Sequence, residues 1–162
     1  MSMDYLVEDD DAPAVPLIPV RADSLANAVK DLPARTVEWV EATGYGAKPG
    51  TVLLLPGNEG EPVGGALVGV EGEKDIWSWG GAALALPPGK YRIEASSSAN
   101  SASRAALGWV LGAYAFTRYK ETGRPARNLV WPQSAARPYV AAAAPATGFV
   151  RDLINTPAAD MG

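Results

Sequence analysis

The run RAALGWVLGAYAFTRYK, Arg104 to Lys120, carries the reading of the fold. Ala102, Ala105, Trp109, Ala113 and Phe116 recur at the spacing of one helical face, and Leu107, Val110, Leu111 and Tyr114 fill the other faces. A helix that is apolar nearly all round must be covered on more than one side. Gly108 and Gly112 stand one helical turn apart, so a second backbone can come close there. Each glycine weakens a helix by about 1 kcal/mol relative to alanine, so tertiary packing has to hold this one. The polar stretch SSSANSAS before it, Ser96 to Ser103, reads as a solvated connection that ends in a helix cap.

Strands surround this helix in the sequence. YRIEA, from Tyr91, alternates apolar and polar residues and predicts a half-buried strand after the PPGK turn. TVLLLPG, Thr51 to Gly57, is a continuous apolar run and predicts a buried strand, hairpin-paired to GALVGV, Gly65 to Val70. PLIPVRA, Pro16 to Ala22, is broken by prolines and suits an edge strand. NLVWP predicts a short strand ended by Pro132. Trp77 and Trp79, two apart, would share one face of an extended chain, either as a ligand-stacking pair or, as their large area favours, as a cover over the core.

Helices fill the gaps. One follows Asp23 or Ser24 with Leu25, Ala28, Val29 and Leu32; a second opens at Pro33 and stops at Gly44. A last helix runs from Pro138, with Pro145 expected to kink or split it. Asn155 could close it in the left-handed conformation, and Thr156 is pushed to extended geometry by Pro157. The order is β-α-α-β-β-β-α-β-α, which predicts an α/β fold: a mixed sheet with helices packed on its faces.

Composition narrows the chemistry. The chain has 162 residues, 48% apolar and 20% charged, which fits one globular domain. Residues 1–14, with the acidic run Glu8-Asp9-Asp10-Asp11, read as a flexible solvated tail, because consecutive carboxylates do not match a calcium loop. A net charge of −4 and scattered Lys and Arg argue against a nucleic-acid partner. No apolar run is long enough to span a membrane, and no secretory signal is visible. Histidine and cysteine are both absent, which excludes Ser-His-Asp and Cys-His catalysis, every His-based metal site and any disulfide, and fits the cytoplasm. Neither a P-loop nor a dinucleotide-binding glycine motif occurs.

Two segments together resemble one family. Trp109, Leu111, Gly112, Tyr114, Phe116, Arg118 and Tyr119 match a W-x-L-G-x-Y-x-F-x-R-Y helix. Arg151, Asp152, Leu153, Asn155, Pro157, Asp160 and Met161 match an R-[DN]-L-x-N-x-P-x-[NA]-[DE]-M connection. Both are similar to the N-terminal part of the leucyl aminopeptidase (cytosol aminopeptidase) family. The resemblance implies a macro-like, non-catalytic α/β domain over residues 15–150. It also implies that residues 151–162, with Arg151, Asp152, Asn155, Thr156, Pro157 and Asp160, begin a connection to a C-terminal catalytic domain. That domain would hold two divalent metals, Zn or Mn, and release N-terminal amino acids from peptide substrates. The family's N-T-D-A-E-G-R signature is missing, so no catalytic, metal or cofactor residue is assigned within these residues. The implied roles are to shape access to the active site and to help pack a homo-hexamer. The alternative is a stand-alone macro-like module that binds a small molecule.

Overall fold

The computed structural model describes residues 4–57, 62–94, 98–119 and 126–160. Strands are β1 (Leu6–Val7), β2 (Val15–Val20), β3 (Val52–Pro56), β4 (Val63–Gly69), β5 (Gly89–Ile93) and β6 (Arg127–Val130). Helices are α1 (Leu25–Val29), α2 (Ala34–Ala42), α3 (Trp77–Ala85), α4 (Ala99–Ala113) and α5 (Arg137–Asn155), with a final 3-10 turn at Ala158–Asp160. The sheet order is β1-β6-β5-β2-β4-β3, parallel throughout except for the antiparallel β3–β4 hairpin. This is the mixed α/β architecture that the sequence predicts.

Both faces of the sheet are covered. Leu17, Ala66, Val68, Tyr91 and Leu129 point to one side, where they pack with Trp79 and Leu86, with Trp109 and Val110 of α4, and with Val140 of α5. Val20, Leu55 and Leu67 point to the other, against Val29 and Val40 of α1 and α2. The switch of face between Ala66, Leu67 and Val68 is the period of two expected along a strand.

Helix α4 lies at the centre of the first layer, between α3 and α5. Its two glycines do what their spacing predicts, and the backbone they admit is α3. A Cβ on Gly80 would stand 3.2 Å from the Gly108 carbonyl oxygen, and one on Gly112 would stand 2.7 Å from the Gly80 carbonyl carbon. Ser98 caps α4 by accepting from the Ser101 N–H at 3.2 Å, as expected of the end of that polar connection; Ser96 and Ser97 lie outside the described residues. The buried Ser103 hydroxyl donates to the Ala99 carbonyl and accepts from the Ala136 N–H at 2.8 Å, tying α4 to the start of α5.

Five local expectations are corrected. PLIPV is not an edge strand but the central β2, between β5 and β4. Its prolines are tolerated because the N–H that each lacks falls on a side where no pair forms among the described residues. The Leu17 carbonyl accepts from Glu94 on the β5 side and the Val20 carbonyl accepts from Val70 on the β4 side. Alternate residues face alternate neighbours, so Pro19 faces β5 beyond the last pair, Leu17 with Ile93, and Pro16 faces β4 before the first pair, Leu17 with Ala66. Conversely β3, expected to be a buried strand, forms the sheet edge and is half-buried along most of its length.

Trp77 and Trp79 lie on a helix, not on extended chain, so they diverge: Trp77 is 69% exposed and Trp79 5%. Asp75 starts that helix, accepting from the Ser78 N–H at 3.0 Å and the Glu71 N–H at 2.9 Å. Burial is the largest single influence on its carboxyl and opposes ionisation, but the donors of Glu71, Ser78 and Trp77 together hold it below the usual carboxylate range.

The acidic segment is not a free tail. Leu6 and Val7 pair with Leu129 and Val130, and Leu6 enters the core. Glu8 grips Arg137 at 2.7 and 3.1 Å, Asp9 meets Arg92 at 2.5 Å, and Asp10 meets Lys90. Finally, α5 is one continuous helix despite Pro145. The carbonyl deprived of a partner belongs to Ala141, an exposed residue, so water can replace the lost donor.

Candidate functional site

Helix α4 ends at Ala113, and the chain continues without regular secondary structure through Tyr114 to Thr117 before Arg118 and Tyr119. Helix α5 runs alongside. The two sequence motifs thereby meet, although some forty residues separate them.

The contacts start at Arg151. Its guanidinium donates to the Leu111 carbonyl at 2.7 Å and lies 5.3 Å from the centre of the Tyr114 ring. That carbonyl is near the end of α4, where a cation complements the orphan acceptors of a helix terminus. The Tyr114 hydroxyl donates to the Asp152 carboxylate at 2.7 Å and accepts from the Asn155 amide at 3.3 Å. Thr156, 6% exposed, donates its hydroxyl to the Asp152 carbonyl at 2.7 Å. The same hydroxyl accepts from Arg118 at 3.5 Å, and Arg118 also donates to the Asp160 carbonyl at 3.3 Å. Tyr119 donates to the Asp160 carboxylate, and Phe116 meets the Tyr119 ring edge-on at 5.7 Å.

Pro157 sets the exit. Thr156 is extended, at φ −84° and ψ 124°, as a residue before proline should be, and its N–H caps α5 through the Leu153 carbonyl at 3.3 Å. Asn155 stays helical, contrary to the left-handed expectation, since the pre-proline geometry of Thr156 already ends the helix. The Asp160 N–H then bonds to the Pro157 carbonyl at 2.9 Å and closes the 3-10 turn.

All six connection residues therefore lie in one clamp. The partners Tyr114, Arg118 and Tyr119 were visible only as letters of the first motif. Their pairing with the second motif could not be read, because it depends on how α4 and α5 align. The clamp ties the end of α4 to the end of α5 through hydrogen bonds. Burial first, then the Asp152 hydrogen bond, pushes the Tyr114 hydroxyl above the usual tyrosine value. The Asp160 hydrogen bond does the same at Tyr119.

Among the described residues no three Asp or Glu side chains come together as a ligand set, and the sequence has no His or Cys to supplement them. Asp160 is occupied by Tyr119. A cavity of about 260 Å³ opens at the carboxyl ends of β2, β4 and β5, beside Arg21, Val70, Trp79, Ile93 and Ser101. It is smaller than the roughly 300–1,000 Å³ of ordinary ligand sites, and Arg21 there is already paired with Asp23 at 2.6 Å.

The profile of the M17 aminopeptidase N-terminal domain matches residues 15–132, more than half of the chain. The chain belongs to the M17 aminopeptidase family. No curated protein matches it. Among solved structures, the cytosol aminopeptidase from Coxiella burnetii is 30% identical with a TM-score of 0.87, over 98% of this chain and 35% of that one. The bottromycin maturation enzyme BotP, solved in complex with Mn, is 26% identical with a TM-score of 0.64, over 91% of this chain and 33% of that one. A second BotP structure is 25% identical with a TM-score of 0.65. The chain thus spans about a third of the length of these relatives. No helix among the described residues is long and apolar enough to cross a membrane.

Proposed function

We propose that this chain is the non-catalytic N-terminal domain of a two-metal, leucyl-type aminopeptidase of the cytoplasm. Its task is to seat a C-terminal catalytic domain, shape the path of peptide substrates to it and help pack a homo-hexamer. The outer face of α5 carries the proposal. The helix has three charged side chains, and all are spent inside this domain: Arg137 on Glu8, Arg151 on Leu111, Asp152 on Tyr114. The face left outward presents Phe149, Val150, Leu153 and Ile154, the last 76% exposed, with no charge among them. A helix face of that kind is built to be covered. It ends at the clamp, which gathers the end of α5 and the turn at Ala158–Asp160.

The metals, Zn or Mn, would be held by residues of the catalytic domain, where they activate water and polarise the peptide carbonyl. The Mn in the BotP complex supports that class of metal.

The test is binding and turnover. Titrated with zinc or manganese in a calorimeter, the chain is expected to show no stoichiometric site, and with a chromogenic leucine amide no hydrolysis. Tight metal binding or leucine release by these 162 residues would overturn the assignment.

A further inference from the structure

One edge of the sheet is strand β3, and its sequence, Val52-Leu-Leu-Leu-Pro56, is apolar throughout and carries no charge. Such a segment on a free edge is a template for another strand. The register shows which groups are on offer. Leu53 pairs with Leu67 and Leu55 with Gly65, and the Gly69 N–H donates to the Thr51 carbonyl at 2.9 Å, so the odd-numbered residues bond to β4. Val52, Leu54 and Pro56 therefore direct their backbone groups away from β4, toward the side where the sheet ends.

That side is obstructed. The Trp39 indole N–H, from α2, donates to the Leu54 carbonyl at 3.0 Å. Trp39 is 47% exposed, so its ring stands over the edge rather than in the core. Arg35 and Glu38, from the same helix, flank it along the groove formed with Pro56 and Val63. Pro56 has no N–H to offer. An incoming strand would find the central acceptor taken, one donor missing, and two charges to desolvate.

We propose that Trp39 is an edge guard, which with Pro56 keeps strand β3 from pairing with β3 of a second copy of this chain. The placement explains why a large indole sits half in solvent. It makes a single hydrogen bond there, to the one carbonyl at the middle of the edge. The occupant it excludes is a second copy because the apolar run is its own match: two β3 strands placed antiparallel bring the uncharged Leu53, Leu54 and Leu55 of one opposite those of the other.

The experiment compares the wild-type chain with Trp39→Ala and Trp39→Phe. Phe keeps a ring over the edge and removes only the donor. Sedimentation velocity measures self-association across a concentration series, and hydrogen exchange reads the Val52 and Leu54 amides. Near-ultraviolet circular dichroism checks that each variant is folded. The expected result is self-association of folded Trp39→Ala at concentrations at least tenfold below any seen for wild type, with Trp39→Phe between them and slowed exchange at Val52 and Leu54 in the associated species. Association unchanged in both variants overturns the proposal. So does association that leaves those two amides exchanging as in wild type.

Discussion

Replacing Gly112 with alanine sets two physical effects against each other. Helix propensity alone favours the change by about 1 kcal/mol, because alanine is the better helix former. The contact with α3 opposes it. The new Cβ would stand 2.7 Å from the Gly80 carbonyl carbon, and nearer still to that residue's Cα and oxygen. All three are backbone atoms and cannot rotate away. The nearest of them sets the requirement, and an ordinary contact at about 3.4 Å needs α3 and α4 to separate by roughly 1 Å, in a core packed to crystal-like density. Overpacking of this kind costs about 1–3 kcal/mol. A clash with backbone belongs at the upper end, so the net loss is about 2 kcal/mol. That is a large share of the roughly 5–15 kcal/mol that holds a domain together. Urea denaturation followed by tryptophan fluorescence measures it, with Gly46→Ala as the control. A Cβ there meets nothing within 4 Å, so its effect should stay within about 0.5 kcal/mol. If Gly112→Ala proves as stable as wild type, or more stable, the close α3–α4 crossing is refuted.

Three other perturbations test separate parts of the molecule. Trp109→Ala should cost about 3–5 kcal/mol in the same assay, since the ring is fully buried, lies 5.7 Å from Tyr91 and donates to the Arg127 carbonyl; a loss under about 1 kcal/mol would remove it from the core. Asp75→Ala should cost about 1 kcal/mol at neutral pH through the lost cap of α3. Its carboxyl is lowered in the folded state, so that contribution is present above the unfolded value of about 3.9 and fades as pH falls through the folded one; thermal melts of the two proteins should converge in acid. Asp152→Asn should let Tyr114 ionise at lower pH in an ultraviolet titration, because it removes the negative charge and leaves only a weaker, neutral acceptor while the burial stays in place. The raised tyrosine contributes stability below its unfolded value of about 10, lost as pH rises through the folded value, and an unchanged titration would separate Tyr114 from Asp152.

What could be read from the sequence was what depends on near neighbours. The face pattern of α4, the hairpin of β3 and β4, the Gly44 stop and the Thr156 geometry are all local, and each is present. The glycine pair in α4 announces a close approach, but not that α3 makes it, because the sequence of α3 suggests extended chain. WSWGGAALA has the alanine content of a helix, and the spacing of two tryptophans outweighed it. The prolines of β2 misled for a different reason. Proline excludes a strand from a sheet centre only where the neighbour its missing N–H would face is paired at its level, and that depends on the stagger of β4 and β5. The clamp shows the same limit at longer range. Five of its members were named from one motif, and their partners Tyr114, Arg118 and Tyr119 come from another that only α4–α5 packing brings alongside.

The first strand alters what the net charge means. Glu8, Asp9 and Asp10 lie against Arg137, Arg92 and Lys90, so part of the protein's acidity serves as a built-in counter-ion layer for a basic flank. A preparation begun at Ala12 would lose five carboxylates and move from a formal charge of −4 to +1. It would also bare three cations side by side along with the outer edge of β6. Any affinity for polyanions measured on such a shortened form would belong to the cut, not to the intact domain.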